Sequence, residues 1–156
     1  MRLYRTIIGD DEPQARKGLT ALLSADPEIE LVAEATNGQE ARQLIEQYHP
    51  QIVLLDIHMP LLNGIELVEK LSYRDFQLVF ITAYDRYALQ AFEVRAIDYL
   101  LKPFDDEAFY AALDRAKQQV QMQEALEQIP PSIRAIAAPG WGYLNRISIR
   151  DREGYT

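Results

Sequence analysis

Apolar residues along this chain fall into two patterns, and the two take turns. Compact runs such as Ile52-Val53-Leu54-Leu55 predict strands buried on both faces of a parallel sheet. Between them apolar positions recur every three or four residues, the period of an amphipathic helix. Residues 4–8 predict a first strand. Pro13 suits the opening turn of a helix with Ala15, Leu19, Leu22 and Leu23 on one face, broken at Asp26-Pro27. Residues 30–35 predict a second strand. Asn37-Gly38 punctuates, and residues 39–48 carry Ala41, Leu44, Ile45 and Tyr48 at helical spacing. That helix ends at His49-Pro50, because a residue before proline avoids the helical region. Ile52–Leu55 is the third strand, Met59-Pro60 and Asn63-Gly64 mark a loop, and residues 65–71 predict a helix. A fourth strand at Gln77–Thr82, a helix at 86–94 and a short fifth strand at Asp98–Leu101 follow. Asp105 or Asp106 caps a last helix that runs through about Gln128.

Five strands alternating with five helices specify the α/β class: a doubly wound, five-stranded parallel sheet with helices on both faces. Right-handed crossovers leave few topologies, and the order 2-1-3-4-5 is expected. It sets the first and third strands side by side at the switch point, where such sheets bind ligands. The first strand runs into Asp10-Asp11 and the third into Asp56, so three carboxylates become neighbours. Clustered acids repel one another and lose hydration, which is poor for stability. A cation or a reaction gives them a reason.

Composition narrows the field. At 156 residues and 48% hydrophobic, the chain suits one domain with an appendage. It has no cysteine, hence no disulfide framework and no thiolate chemistry. No apolar stretch approaches membrane-spanning length, and no signal segment follows Met1-Arg2-Leu3-Tyr4-Arg5; a cytoplasmic protein with no membrane partner is expected. The net charge of -8 is uneven: residues 129–156 are net +2, which leaves -10 on the rest. An acidic body is a poor nucleic-acid binder by itself.

Clustered carboxylates suit Mg²⁺, a hard cation that takes oxygen ligands. Asp56 could then act as a nucleophile and form an aspartyl phosphate. The incoming group brings negative charge and calls for cationic and hydrogen-bonding help. Thr82 ends the fourth strand and offers a hydroxyl; Lys102 follows the fifth and offers a compact positive charge.

These residues resemble those of bacterial response-regulator receiver domains. The likeness lies in Asp10-Asp11-Glu12-Pro13, in Leu54-Leu55-Asp56-Ile57-His58-Met59-Pro60 with Asn63-Gly64, in Ile81-Thr82-Ala83, and in Asp98-Tyr99-Leu100-Leu101-Lys102-Pro103-Phe104. It covers roughly residues 3–120 and implies a flavodoxin-like fold. It implies a phosphoacceptor at Asp56, and Mg²⁺ held by Asp10, Asp11, Asp56 and the backbone carbonyl of His58. Thr82 and Lys102 would contact the phosphoryl group, and Tyr99 would be the switch aromatic. The Lys102-Pro103 bond would be cis. His58 and Tyr84 occupy positions where the family modulates dephosphorylation. The partners implied are a sensor histidine kinase and, after phosphorylation, a second copy docked through the fourth helix, fifth strand and fifth helix.

Asp98 to Phe104, with Ala91-Phe92-Glu93-Val94, looks most like the LytR/AlgR subfamily. The expected domains are a receiver over residues 1–129 with an extended last helix, a linker over 130–144, and the first strand of a truncated LytTR-type DNA-binding domain over 145–156. In that tail Ile147 and Ile149 alternate with Arg146, Ser148 and Arg150, as in a half-buried strand. One strand cannot fold alone, so DNA binding is expected only through the missing part of that domain. Met122, Leu126 and Ile129 prolong the apolar stripe of the last helix. Two rivals stand beside the switch. A Mg²⁺-dependent phosphohydrolase would want a second acid two residues after Asp56, where His58 stands, and a constitutive dimerisation module would need no acids. No G-x-G-x-x-G or P-loop pattern supports nucleotide binding.

Overall fold

The computed structural model describes residues 2–133. The sheet order is β2-β1-β3-β4-β5, all parallel. Its strands are β1 (Tyr4–Gly9), β2 (Ile29–Ala35), β3 (Ile52–Leu55), β4 (Gln77–Thr82) and β5 (Asp98–Leu101). The helices are α1 (Pro13–Ser24), α2 (Gly38–Tyr48), α3 (Gly64–Lys70), α4 (Ala88–Glu93) and α5 (Asp106–Glu127). Strand side chains alternate faces, and the two faces feed separate cores. Ile7, Val53, Leu55, Leu78 and Phe80 pack with Ala41 and Ile45 of α2, Leu67 and Val68 of α3 and Ala91 of α4. Tyr4, Ile8, Leu54, Val79 and Ile81 pack with Leu19 and Leu23 of α1 and with Phe109, Leu113 and Ala116 of α5. The doubly wound architecture is as the sequence predicts.

Local chemistry sets the element ends. Asn37 caps α2 by accepting from Glu40 N–H, and Asn63 with Glu66 forms a reciprocal capping box on α3. α2 ends at His49, as its place before Pro50 foretells, and His49 itself takes up the left-handed region at φ 47°. Of the two candidate caps of α5, Asp105 is the one used, accepting from Ala108 N–H at 2.8 Å. α4 is shorter than expected: Arg86 and Tyr87 precede it. At Gly64 an added Cβ would stand 2.7 Å from the Asp56 carbonyl oxygen, so only glycine lets this chain segment return against the end of β3.

The described residues divide into two units, with the boundary between Val120 and Gln121. In the second, α5 continues to Glu127, Met122 is exposed, and Ile133 N–H bonds Pro130 C=O at 2.9 Å. Most of the linker and the whole tail strand expected from sequence lie outside the described residues. Among the described residues no helix is long and apolar enough to cross a membrane.

Candidate functional site

Asp10 and Asp56 leave adjacent strands, tied by the Asp56 N–H···O=C Gly9 bond at 2.8 Å. Asp10 is buried, and every polar atom it has is held. Its N–H donates to Ala35 C=O at 3.1 Å. Its carbonyl accepts from Arg16 Nη1 at 2.7 Å, Oδ1 from Glu12 N–H at 3.0 Å, and Oδ2 from Lys102 Nζ at 2.7 Å. Asp56 Oδ1 accepts from His58 N–H at 3.1 Å, and Oδ2 from the same Lys102 Nζ at 3.1 Å. Asp11 is exposed and has no hydrogen-bond or salt-bridge partner among the described residues. Ligand oxygens of Asp10, Asp11 and Asp56 lie within 4.8 Å of one another. An all-carboxylate set of this kind fits a hard divalent cation, whose charge would relieve the repulsion that a single lysine only partly offsets.

Lys102 reaches the acids from beyond β5. Its N–H donates to Thr82 C=O at 2.8 Å, which sets the ends of β4 and β5 side by side. The Lys102-Pro103 bond is cis, as expected. Burial works against the Lys102 ammonium, but the bond to Asp10 and the charges of Asp56 and Asp10 outweigh it. The group is held above the ordinary lysine range. Thr82 is fully buried, and its Oγ1 has no hydrogen-bond partner among the described residues. Buried hydroxyls are nearly always paired, so an orphan at the end of a strand marks a place where a polar group is wanted.

A ring of aromatic side chains stands on the neighbouring loops. His58 is exposed, two residues beyond Asp56. Its ring packs on Tyr84 with centroids 4.2 Å apart, and its Nε2 meets Tyr87 Oη at 2.8 Å. The Arg86 guanidinium lies over Tyr84 at 4.7 Å and over Tyr87 at 4.9 Å, and donates to Tyr87 Oη at 3.1 Å. The Tyr99 hydroxyl donates to Tyr84 C=O. Burial raises the Tyr99 phenol above its ordinary range, and negative charge at Asp85 and Asp56 acts in the same direction.

Asp10, Asp11, Asp56 and Lys102 therefore converge as the topology requires, with Thr82 on the adjoining strand end. Tyr84 and Tyr99 stand apart from the acids and meet each other. Three residues carry no role in the sequence reading: Arg16, Arg86 and Tyr87. Arg16 bonds a backbone carbonyl, which leaves no residue-type signal. Arg86 and Tyr87 fall inside the expected helix, although three aromatic or basic side chains within five residues after Thr82 are a visible clue.

Comparison with known proteins adds an independent line. The response regulator receiver domain family matches residues 6–114. An uncharacterized response regulatory protein of Yersinia pestis is 39% identical over 153 residues, which cover 97% of this chain and 64% of that protein. The sensory transduction protein LytT of Oceanobacillus iheyensis is 43% identical over 115 residues, 71% of this chain and 47% of that protein. Among solved structures, the response regulatory domain of protein mrkE from Klebsiella pneumoniae superimposes with a TM-score of 0.71 at 28% identity, covering 76% of this chain and 98% of that one. The chain spans about half to two thirds of the length of the first curated relatives it matches.

Proposed function

Because this chain belongs to the response regulator receiver domain family, we propose that it is a phosphorylation switch whose phosphoacceptor is Asp56. A carboxylate oxygen of Asp56 attacks the phosphorus of a phosphohistidine on a sensor histidine kinase. The new P–O bond forms as the P–N bond breaks, and the departing imidazole nitrogen keeps the electron pair and takes up a proton. The observation that carries this is the position of Lys102 Nζ, in contact with both Asp10 and Asp56. A mobile ammonium there can follow charge from the free carboxylate to the transferred group.

Asp10, Asp11, Asp56 and the backbone carbonyl of His58 would hold Mg²⁺, which screens the acids and steadies the phosphoryl oxygens. The Thr82 hydroxyl supplies a donor to the same oxygens. As Thr82 moves toward them, Tyr99 turns inward, and the surface of α4, β5 and α5 changes. Leu89 and Phe92 of α4 and Leu101 of β5 are exposed there. An unpartnered apolar surface of this kind supports homodimerisation on phosphorylation. The chain performs only its own phosphorylation and dephosphorylation, and is not a turnover enzyme. It acts in the cytoplasm, as the receiver (residues 1–129) of a longer regulator. After a linker at 130–144, the tail from 145 begins a LytTR-type domain that binds DNA and controls transcription.

Acetyl phosphate with Mg²⁺ tests the chemistry. The wild-type chain should become an acid-labile phosphoprotein and Asp56→Asn should not; labelling of Asp56→Asn at the wild-type level overturns the assignment. Light scattering with beryllofluoride tests the dimer, and an unchanged mass counts against it.

A further inference from the structure

Three side chains after β4 have no part in the proposed chemistry: Tyr84, Arg86 and Tyr87. They converge on His58, in the loop that begins at the phosphoacceptor. A guanidinium cannot accept a hydrogen bond, so at 3.1 Å Arg86 donates to the Tyr87 oxygen. The same guanidinium also lies 3.4 Å from His58 Nε2, which makes that ring nitrogen the acceptor, and the Tyr87 hydroxyl then donates to it at 2.8 Å. The other face of the cluster is ring packing: His58 tilted by 32° on Tyr84 with centroids 4.2 Å apart, and Arg86 over both tyrosines. These contacts cross from one loop to the other and fasten the two together.

Tyr84 is also joined to β5, because its carbonyl accepts the Tyr99 hydroxyl. It stands two residues from Thr82, a chain reach of no more than about 7 Å. A displacement of Thr82 toward a group on Asp56 has this short span through which to act on Tyr84, and through it on the His58 contact and on Tyr99.

We propose that Tyr87 and Arg86 are positioning residues of this switch: acting through His58, they latch the loop after β4 onto the phosphoacceptor loop and hold the unphosphorylated arrangement. The proposal rests on Asp56 as phosphoacceptor. In this proposal a shift of Thr82 that draws Tyr84 off His58 opens the latch, so whatever weakens the latch tightens binding of a phosphoryl analogue, up to the same factor.

Tyr87→Phe removes the hydroxyl and keeps the ring. One neutral hydrogen bond near solvent corresponds to roughly a threefold to tenfold change in an equilibrium constant. The experiment titrates beryllofluoride into the 156-residue chain at saturating Mg²⁺ and follows the amide signals of Thr82 and Tyr99 by NMR. Tyr87→Phe should reach half-saturation at about threefold to tenfold lower beryllofluoride. Arg86→Gln should act in the same direction, and the double variant should fall short of the product of the two, because Arg86 works through the Tyr87 oxygen. A merely structural role predicts weaker binding with a lower melting temperature. Half-saturation unchanged or raised in both single variants overturns the latch. A wild-type response that persists in Asp56→Asn is a different failure: it removes the phosphoacceptor assignment, and the latch with it.

Discussion

Replacing Thr82 by valine should push stability and ligand affinity in opposite directions. Thr82 is fully buried at the end of β4, and its hydroxyl has no partner among the described residues. A buried unpaired hydroxyl is unfavourable by about 1–3 kcal/mol. Valine keeps the branched shape and the strand preference and puts a methyl where the hydroxyl was. The resting protein should therefore gain about 1–2 kcal/mol, which for a domain of this size is roughly 3–8 °C in melting temperature. The same substitution deletes the donor that β4 offers to a phosphoryl group. A hydrogen bond to a charged group is worth about 1.5–3 kcal/mol, so beryllofluoride affinity should fall by roughly 10- to 100-fold. Thermal melts followed by circular dichroism read the first effect, and beryllofluoride titration at fixed Mg²⁺ reads the second. Thr82→Ser separates them: it keeps the hydroxyl, so it should bind beryllofluoride within a few-fold of wild type while losing about 1 kcal/mol of packing. A valine variant less stable than wild type by about 1 kcal/mol or more would show that the resting hydroxyl is satisfied, and the reasoning from its burial would fail.

Other changes should act on the acids and their supports. Lys102→Met leaves Asp10 and Asp56 without their cation and should lower stability by about 1–3 kcal/mol, less than for a fully buried pair because the lysine side chain is 23% exposed. Millimolar Mg²⁺ should restore much of the loss, and denaturant melts with and without Mg²⁺ check this; equal stability in both counts against cation binding here. Arg16→Ala removes the donor to the Asp10 carbonyl and should weaken Mg²⁺ affinity several-fold with little change in fold, as measured by calorimetric titration. Toward alkaline pH, Lys102 and Lys117 act together. Burial opposes the charge of Lys117, but Asp26 and Glu28 at 2.6 and 2.8 Å outweigh it, and both lysines are held above their ordinary range. A raised folded value means stability that is complete below the unfolded pKa, about 10.4, and lost as pH rises through the folded value. Tyr99, raised chiefly by burial, has the same sign: its neutral form is the one the fold favours. Denaturant melts should thus show little change from these groups up to about pH 10 and a decline above it, smaller in Lys117→Met.

Strand order and acid cluster are legible in the sequence because both follow from local signals. The apolar runs mark the strands, the crossover rule limits their order, and Asp10, Asp56, Thr82 and Lys102 sit at strand ends where any doubly wound sheet gathers them. Less can be read where partners are distant or are backbone. The sequence sets the start of α4 too early because Arg86 and Tyr87 have adequate helix propensity. In the structure they precede the helix and contact His58, 28 and 29 residues away. Asn37-Gly38 reads as punctuation and is in fact a helix start. A Cβ on Gly38 would stand 1.6 Å from the Leu62 carbonyl oxygen, a close approach that no spacing rule announces. Arg16 belongs to neither the apolar face of α1 nor any motif, and its target is a main-chain oxygen.

The edge of this sheet collects features that a fold optimised for stability would avoid: three acids within 4.8 Å, and a buried hydroxyl with no partner among the described residues. Such local conflicts concentrate at functional sites, and here one occupant answers all of them. Under the proposed function, a cation meets the acids and a phosphoryl oxygen meets the hydroxyl. The supporting residues differ in stiffness in a way that suits this. Asp10 is held at its N–H, its carbonyl and both carboxylate oxygens, whereas Asp11 is exposed and able to turn toward a ligand. Thr82 has a branched side chain with few rotamers on a paired strand, so it can reach a new oxygen only if the strand end shifts. Lys102 has a long flexible stem and a point charge, and can follow the negative charge without moving β5. Under that function a rigid acid, an adjustable acid, a mobile cation and a donor that must carry backbone with it would together turn a change of charge at Asp56 into a change of shape after β4.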